Sequence, residues 1–120
     1  IGSITVRVLS FEQEEIDAAW WEARLRAAWA VRRAIGLIDS PDTDCYRLVH
    51  GEGDNLPGLV IDIYGDVAVV QAHSVGMYRS RQAICEALRT VYGDRLAAVY
   101  DKSAQTLPYK AETGAVDGYL

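Results

Sequence analysis

Hydrophobic and polar residues alternate from Ile4 to Leu9, with Thr5 and Arg7 in between, which is the period of a strand whose Arg7 face meets water. Glu12 to Glu15 form a polar connector, after which the period lengthens. Trp20, Ala23, Ala27, Ala30/Val31 and Ala34 recur at helical spacing and predict a helix from about Asp17 to Ile35. Asp17 is suited to accept hydrogen bonds from the first free N–H groups, and Gly36 stands where a left-handed C-terminal residue belongs. Trp21, Leu25 and Trp29 make a second apolar line on the same helix. Two lines predict two contacts, the alanine line permitting close approach.

Ser40-Pro41-Asp42 marks a loop, and Tyr46 to Gly51 reads as a strand. Leu59–Tyr64 and Val67–His73 are β-rich runs joined by Gly65-Asp66, a pair suited to a primed hairpin turn. Leu59, Ile61 and Ile63 are expected on one face, with Val60, Asp62 and Tyr64 on the other. Helical spacing returns from about Met77 to Tyr92, with Ile84, Cys85, Leu88 and Val91 as its buried stripe and Gly93 as its stop. Ala97 to Tyr100 is a short strand. Residues 104–120 carry turn residues and weak periodicity, as an edge strand or a linker towards a further domain would. The order strand, helix, three strands, helix, strand predicts an α+β domain: a mainly antiparallel sheet with two helices packed on it.

The 120 residues suffice for one core but not two. Half are hydrophobic and 24% charged, which sets the chain apart from disordered sequences. A formal charge of −5 argues against tight phosphate binding by this stretch alone. The chain starts at Ile1 and its only methionine is Met77, so a piece of a longer protein is expected. Cys45 and Cys85 lack the spacing of a zinc site, and two reduced thiols in a cytoplasmic protein are expected. No apolar run reaches the roughly 20 residues of a membrane span, and no signal peptide is visible.

The segment Gly51-Glu52-Gly53-Asp54-Asn55-Leu56-Pro57-Gly58 draws the eye to chemistry. Its glycines permit positive φ, and Pro57 restrains both itself and Leu56, so one rigid shape is expected. It has no Gly-Lys-Ser/Thr, leads into a strand instead of a helix, and carries Glu52 and Asp54, which repel phosphate. Glu52, Asp54, Asp62 and Asp66 offer oxygen ligands or an acid/base pair, against the plainer reading that Asp54 or Asn55 bonds local amides and Arg47 pairs with one of the acids. His50 and His73 are candidate bases without a nucleophile signature, and Cys45 and Cys85 lack an electropositive setting. Arg79, Arg81 and Arg89 with Tyr78 offer a modest basic, aromatic patch that RNA could use.

Several of these pieces form a pattern in order: Ile16-Asp17-Ala18-Ala19-Trp20-Trp21, Tyr46-Arg47-Leu48-Val49, the loop from Gly51 to Gly58, Asp62 with Tyr64-Gly65, and Tyr100-Asp101-Lys102-Ser103. Together they resemble the central domain of the large-subunit ribosomal RNA cytosine-C5 methyltransferases, from about Ser3 to Ser103. The resemblance implies an N-terminal PUA domain, a central α+β domain and a C-terminal Rossmann-like domain that binds S-adenosylmethionine. Residues 1–103 would be the central domain. The nucleophilic cysteine of such enzymes lies in the C-terminal domain, and neither Cys45 nor Cys85 matches it. Asn55 stands where Gly is usual, and the tail after Ser103 departs from the pattern.

The resemblance thus implies a noncatalytic module that spaces the PUA and catalytic domains and lines the RNA cleft. No catalytic, cofactor-binding or metal residue is assigned within it; S-adenosylmethionine belongs to the parent protein. The surface facing the cleft or a neighbouring domain is expected at Arg47, Glu52, Asp54, Asn55, Leu56, Pro57 and Gly58, with Arg47 bracing the loop. Its partners would be the protein's own PUA and methyltransferase domains, ribosomal RNA through the full-length protein, and a second copy if it dimerises. The rival readings are a dimerisation module unrelated to RNA, supported by the doubled apolar face of the first helix, and a carboxylate- or metal-dependent hydrolase built on Glu52, Asp54 and His50.

Overall fold

A computed structural model describes residues 8–10, 15–107 and 116–120. Helix α1 runs from Ala18 to Ala34 and strand β1 from Cys45 to His50, followed by a 3₁₀ turn at Gly51–Asp54. Strands β2 (Leu59–Tyr64) and β3 (Val67–Ala72) come next, then helices α2 (Val75–Arg79) and α3 (Arg81–Tyr92), β4 (Ala98–Asp101) and β5 (Gly118–Tyr119). The strands form one sheet in the order β1-β2-β3-β4-β5. Among the described strands only the β3–β4 pair is parallel, because α2 and α3 intervene and carry the chain back across the sheet. The α+β class with a mostly antiparallel sheet is therefore the observed one.

The strand expected over Ile4–Leu9 falls mainly outside the described residues. Val8 and Leu9 are described and are not in a strand, although Leu9 packs against the core. The helix expected from Met77 to Tyr92 is two helices. Ser80 accepts no further α-helical geometry at φ −90° and ψ 4°, and its N–H is shared between the carbonyls of Gly76 and Met77. The short first helix is capped by Ser74, whose side chain accepts from the Met77 N–H at 3.2 Å.

Helix α1 begins as its sequence dictates. The Asp17 carboxylate accepts the Trp20 N–H at 2.9 Å, and Gly36 follows the helix with φ +83°. Its two apolar lines fare differently. Trp21, Leu25 and Ala28 are buried with Trp20, and Trp29 packs at the rim, whereas Ala23, Ala27, Ala30, Val31 and Ala34 are exposed. The expected alanine contact is thus absent among the described residues. The bulkier line buries more apolar area per turn, and it is the one that meets α3 and the sheet.

Leu48, Val49, Ile61, Ile63, Val70 and Val99 face the helices and are fully or almost fully buried. Leu48 and Val49 are both buried because a bulge between Arg47 and Val49 shifts the β1–β2 register and turns two successive side chains inward. The opposite face carries Val60, Asp62 and Tyr64 of β2, as their alternation predicts, and no described helix lies on it. Leu25→Ala should lower stability by about 2–5 kcal/mol, whereas Val31→Ala should change it by no more than about 0.5 kcal/mol. Urea unfolding of the two variants checks the face assignment; equal losses would contradict it.

Candidate functional site: an acidic loop clamped by arginine

The loop after β1 is built by hydrogen bonds that its sequence can supply. The Asn55 N–H donates to the Glu52 carbonyl and the Leu56 N–H to that of Gly51, both at 3.1 Å. Asn55 sits in the left-handed region at φ 58°, which explains why a residue other than glycine is tolerated there. Leu56, Pro57 and Gly58 are buried, and the Gly58 carbonyl accepts the His73 N–H at 2.7 Å, tying the loop's far end to β3. Glu52, Gly53 and Asn55 remain on the surface.

Asp54 is the centre of this arrangement. Its carboxylate accepts two bonds from the Arg32 guanidinium, at 2.5 and 2.9 Å, and a third from the His50 backbone N–H at 2.7 Å. Both side chains are largely buried, 13% and 7% exposed, so solvent screens the pair weakly. Arg32 also donates from Nε to the Arg47 carbonyl at 3.0 Å. One guanidinium therefore joins the end of α1 to strand β1 and to the loop. The sequence offered several arginines on this helix, and only the observed packing selects Arg32.

Arg47 does pair with one of the acids, but not with one in the loop. It bonds both oxygens of Asp62 across the β1–β2 ladder, at 2.8 and 3.2 Å, on the sheet face away from the helices. The expectation that its side chain braces the loop is therefore corrected: the side chain is spent on Asp62, and only the Arg47 carbonyl, through Arg32, is linked to the loop. The loop residues Glu52 to Gly58 are thus brought together as one rigid unit with Arg32, and Arg47 is placed on a neighbouring surface.

The remaining candidates do not converge on one site. His50 and His73 border a shallow depression beside Glu52 and Gly58, and among the described residues no group of three or more His, Cys, Asp or Glu is placed to hold a metal ion. Cys45 is exposed at the sheet edge, and the Asp44 carboxylate that accepts its S–H raises its pKa, the opposite of nucleophile activation. Cys85 is buried in α3. Of the basic patch, Arg81 lies 4.1 Å over the Tyr78 ring and donates to the Tyr78 carbonyl, while Arg79 and Arg89 are exposed. Among the described residues, no helix is long and apolar enough to cross a membrane.

A second polar knot lies at the end of β4. Asp101 and Ser103 are buried; the Ser103 hydroxyl donates to Asp101 and accepts the Ala72 N–H at 2.9 Å. Burial raises the Asp101 pKa, and the Ser103 bond and the Arg81 charge only partly oppose this. The pair fixes the exit of β4 against β3.

No family model matches the chain. Curated relatives do. Over 103 residues it is 42% identical to ribosomal RNA large subunit methyltransferase I of Erwinia tasmaniensis and 41% identical to that of Klebsiella pneumoniae. Each match takes in 85% of this chain and 25% of the relative, so the chain spans about a quarter of the length of the curated relatives it matches. Among solved structures, it superposes on a Streptococcus mutans protein described as a candidate SAM-dependent methyltransferase, with a TM-score of 0.76 and 23% identity. That likeness covers 94% of this chain and 27% of the other. A candidate methyltransferase crystallised with SAH gives a TM-score of 0.73 at 22% identity. These structures share the fold.

Two outcomes test the clamp and the knot. Arg32→Ala or Asp54→Asn should each cost about 3 kcal/mol, because either leaves a largely buried partner unpaired, and the double variant should lose far less than the sum. A thermodynamic cycle in urea measures that coupling. Asp101 has a raised folded-state pKa, so its favourable contribution is complete below the ordinary carboxylate pKa of about 4 and is lost as pH rises through the folded value. The melting temperature of Asp101→Asn relative to the parent chain should therefore be higher at pH 7 than at pH 4; the reverse trend would contradict the assignment.

Proposed function

We propose that the chain is the noncatalytic central module of a SAM-dependent RNA methyltransferase that acts on a cytosine C5 of ribosomal RNA. In this reading residues 1–103 form the central domain, and residues 104–120 supply an edge strand and lead towards a catalytic domain. The module spaces a PUA domain from that catalytic domain and walls one side of the RNA cleft through the loop at Glu52–Gly58. S-adenosylmethionine is bound elsewhere in the parent protein, which is cytoplasmic.

The observation that carries the reading is the use to which the loop puts its most buried charge. Asp54 takes three hydrogen bonds from Arg32 and His50, so its lone pairs are committed to holding α1, β1 and the loop in one geometry. A carboxylate so engaged is a poor general base, and a good strut. The 42% identity to a ribosomal RNA methyltransferase over a quarter of that relative's length supports the same assignment. The net charge of −5 then reflects division of labour, with phosphate contacts made by other domains.

In the full-length protein, Arg32→Ala should lower kcat/KM for ribosomal RNA about tenfold, as misplacement of a distant element can, while the Kd for S-adenosylmethionine changes less than about twofold. The 120-residue chain alone should neither bind the cofactor nor methylate RNA. Calorimetry showing micromolar cofactor binding by that chain would overturn the reading.

A further inference from the structure

Among the described residues the sheet is covered by helices on one side only, and its other side is not dressed for water. Arg47, Asp62, Val69, Tyr100 and Tyr119 lie in register across all five strands on the face away from the described helices. Val60, Val67 and Tyr64 flank this row. An antiparallel sheet with one solvated face ordinarily alternates apolar-in with polar-out. Here the outward positions of β2 to β5 are mainly valine and tyrosine, and none of Val60, Val67, Val69 and Tyr100 packs into the core. Tyr64 is 54% exposed and Tyr119 is 74% exposed, the latter edge-on to Tyr100 with ring centroids 5.0 Å apart. A contiguous apolar face of this kind marks an interaction surface.

We infer that this open sheet face is the seat of an apolar, uncharged protein surface contributed by another part of the same polypeptide. This rests on the reading of the chain as one module of a longer methyltransferase. Charge selects the occupant. The one cation in the central row, Arg47, is paired with both oxygens of Asp62, so that row presents valine and aromatic rings and no unpaired cation of its own, and the exposed Lys102 lies beyond its end, just past β4. Length points the same way: three quarters of the matched relatives lies outside the region this chain covers, ample polypeptide to fill the face in cis. The Arg47–Asp62 pair would sit at the polar rim, with Val69 and Tyr100 in the dry centre. The exposed alanine line of α1 lies on the helix layer, on the other side of the sheet, leaving the module open to contact on two sides.

Hydroxyl-radical footprinting of the full-length protein tests this. Tyr64 and Tyr119 should be oxidised at least about fivefold more slowly than their exposures here imply, since interface cores exclude water. Val69→Asp should restore fast oxidation of both; if that variant does not fold, Tyr100→Ser provides the same readout at the next strand. The protection should be unchanged on dilution and without RNA. Fast oxidation in the unaltered protein would overturn the inference, as would protection that disappears as a dimer dissociates in sedimentation, or protection that needs added RNA. Cofactor binding and methylation by the same preparation judge the methyltransferase reading separately: a protein with protected tyrosines but no methylation would sink that reading and leave the docking face standing.

Discussion

The bidentate bond between Arg32 and Asp54 is the constraint on which the arrangement of this domain turns. A helix and an edge strand meet at a loop, and each would leave polar groups exposed to a poorly solvated seam. One guanidinium serves the Asp54 carboxylate and the Arg47 carbonyl, while the same carboxylate serves the His50 amide. A buried ion pair does not have to stabilise a protein relative to an apolar substitute, because desolvation offsets much of the attraction. Its value here is geometric. Once both charges are buried, any displacement of α1 from the loop strands one of them, so the structure tolerates only one placement.

The acids of the chain are unequal in consequence. Asp54, Asp62 and Asp101 are each bound to a named partner, and Asp17 caps a helix. Of the carboxylates that looked like a candidate ligand set in the linear sequence, Asp54 and Asp62 are each paired with a different arginine, and among the described residues no three ligating side chains converge. The two cysteines are likewise apart, one exposed and one buried, whereas His50 and His73 share one shallow depression. What the fold concentrates instead is shape: a hydrogen-bonded loop on one edge, buried from Leu56 to Leu59, and a sheet whose described helices lie on a single side.

Connection lengths set where the described helices arise. The β2–β3 turn is too short to carry one, and among the described residues the helices come from the segment before β1 and from the β3–β4 crossover, both contributing to the same core. An amphipathic sheet would accept this by turning polar residues outward. This sheet keeps valines and tyrosines there, a composition that makes physical sense when further polypeptide lies against it.

Local physics made much of this domain legible before any coordinates. Asp17 and Gly36 bound the first helix, Gly65-Asp66 closes the hairpin, and the alternation in Leu59–Tyr64 sorts its residues between faces, because caps, turns and period-two patterning depend only on near neighbours. The positive-φ positions at Gly51 and Gly58 were equally readable from the glycines of the loop. Other features required the tertiary structure. Two apolar lines on α1 had comparable periodicity, and only packing against α3 and the sheet chose the line of Trp21, Leu25 and Trp29 over the one through Ala23, Ala27 and Ala34. The pairing of Arg32 with Asp54, and of Arg47 with Asp62, was likewise undetermined, since a long flexible cation can reach many acids until the backbone has placed them. Sequence specifies what each segment can form alone; which surfaces meet is decided by packing, where the competing choices differ in buried area and in which charges are left without a partner.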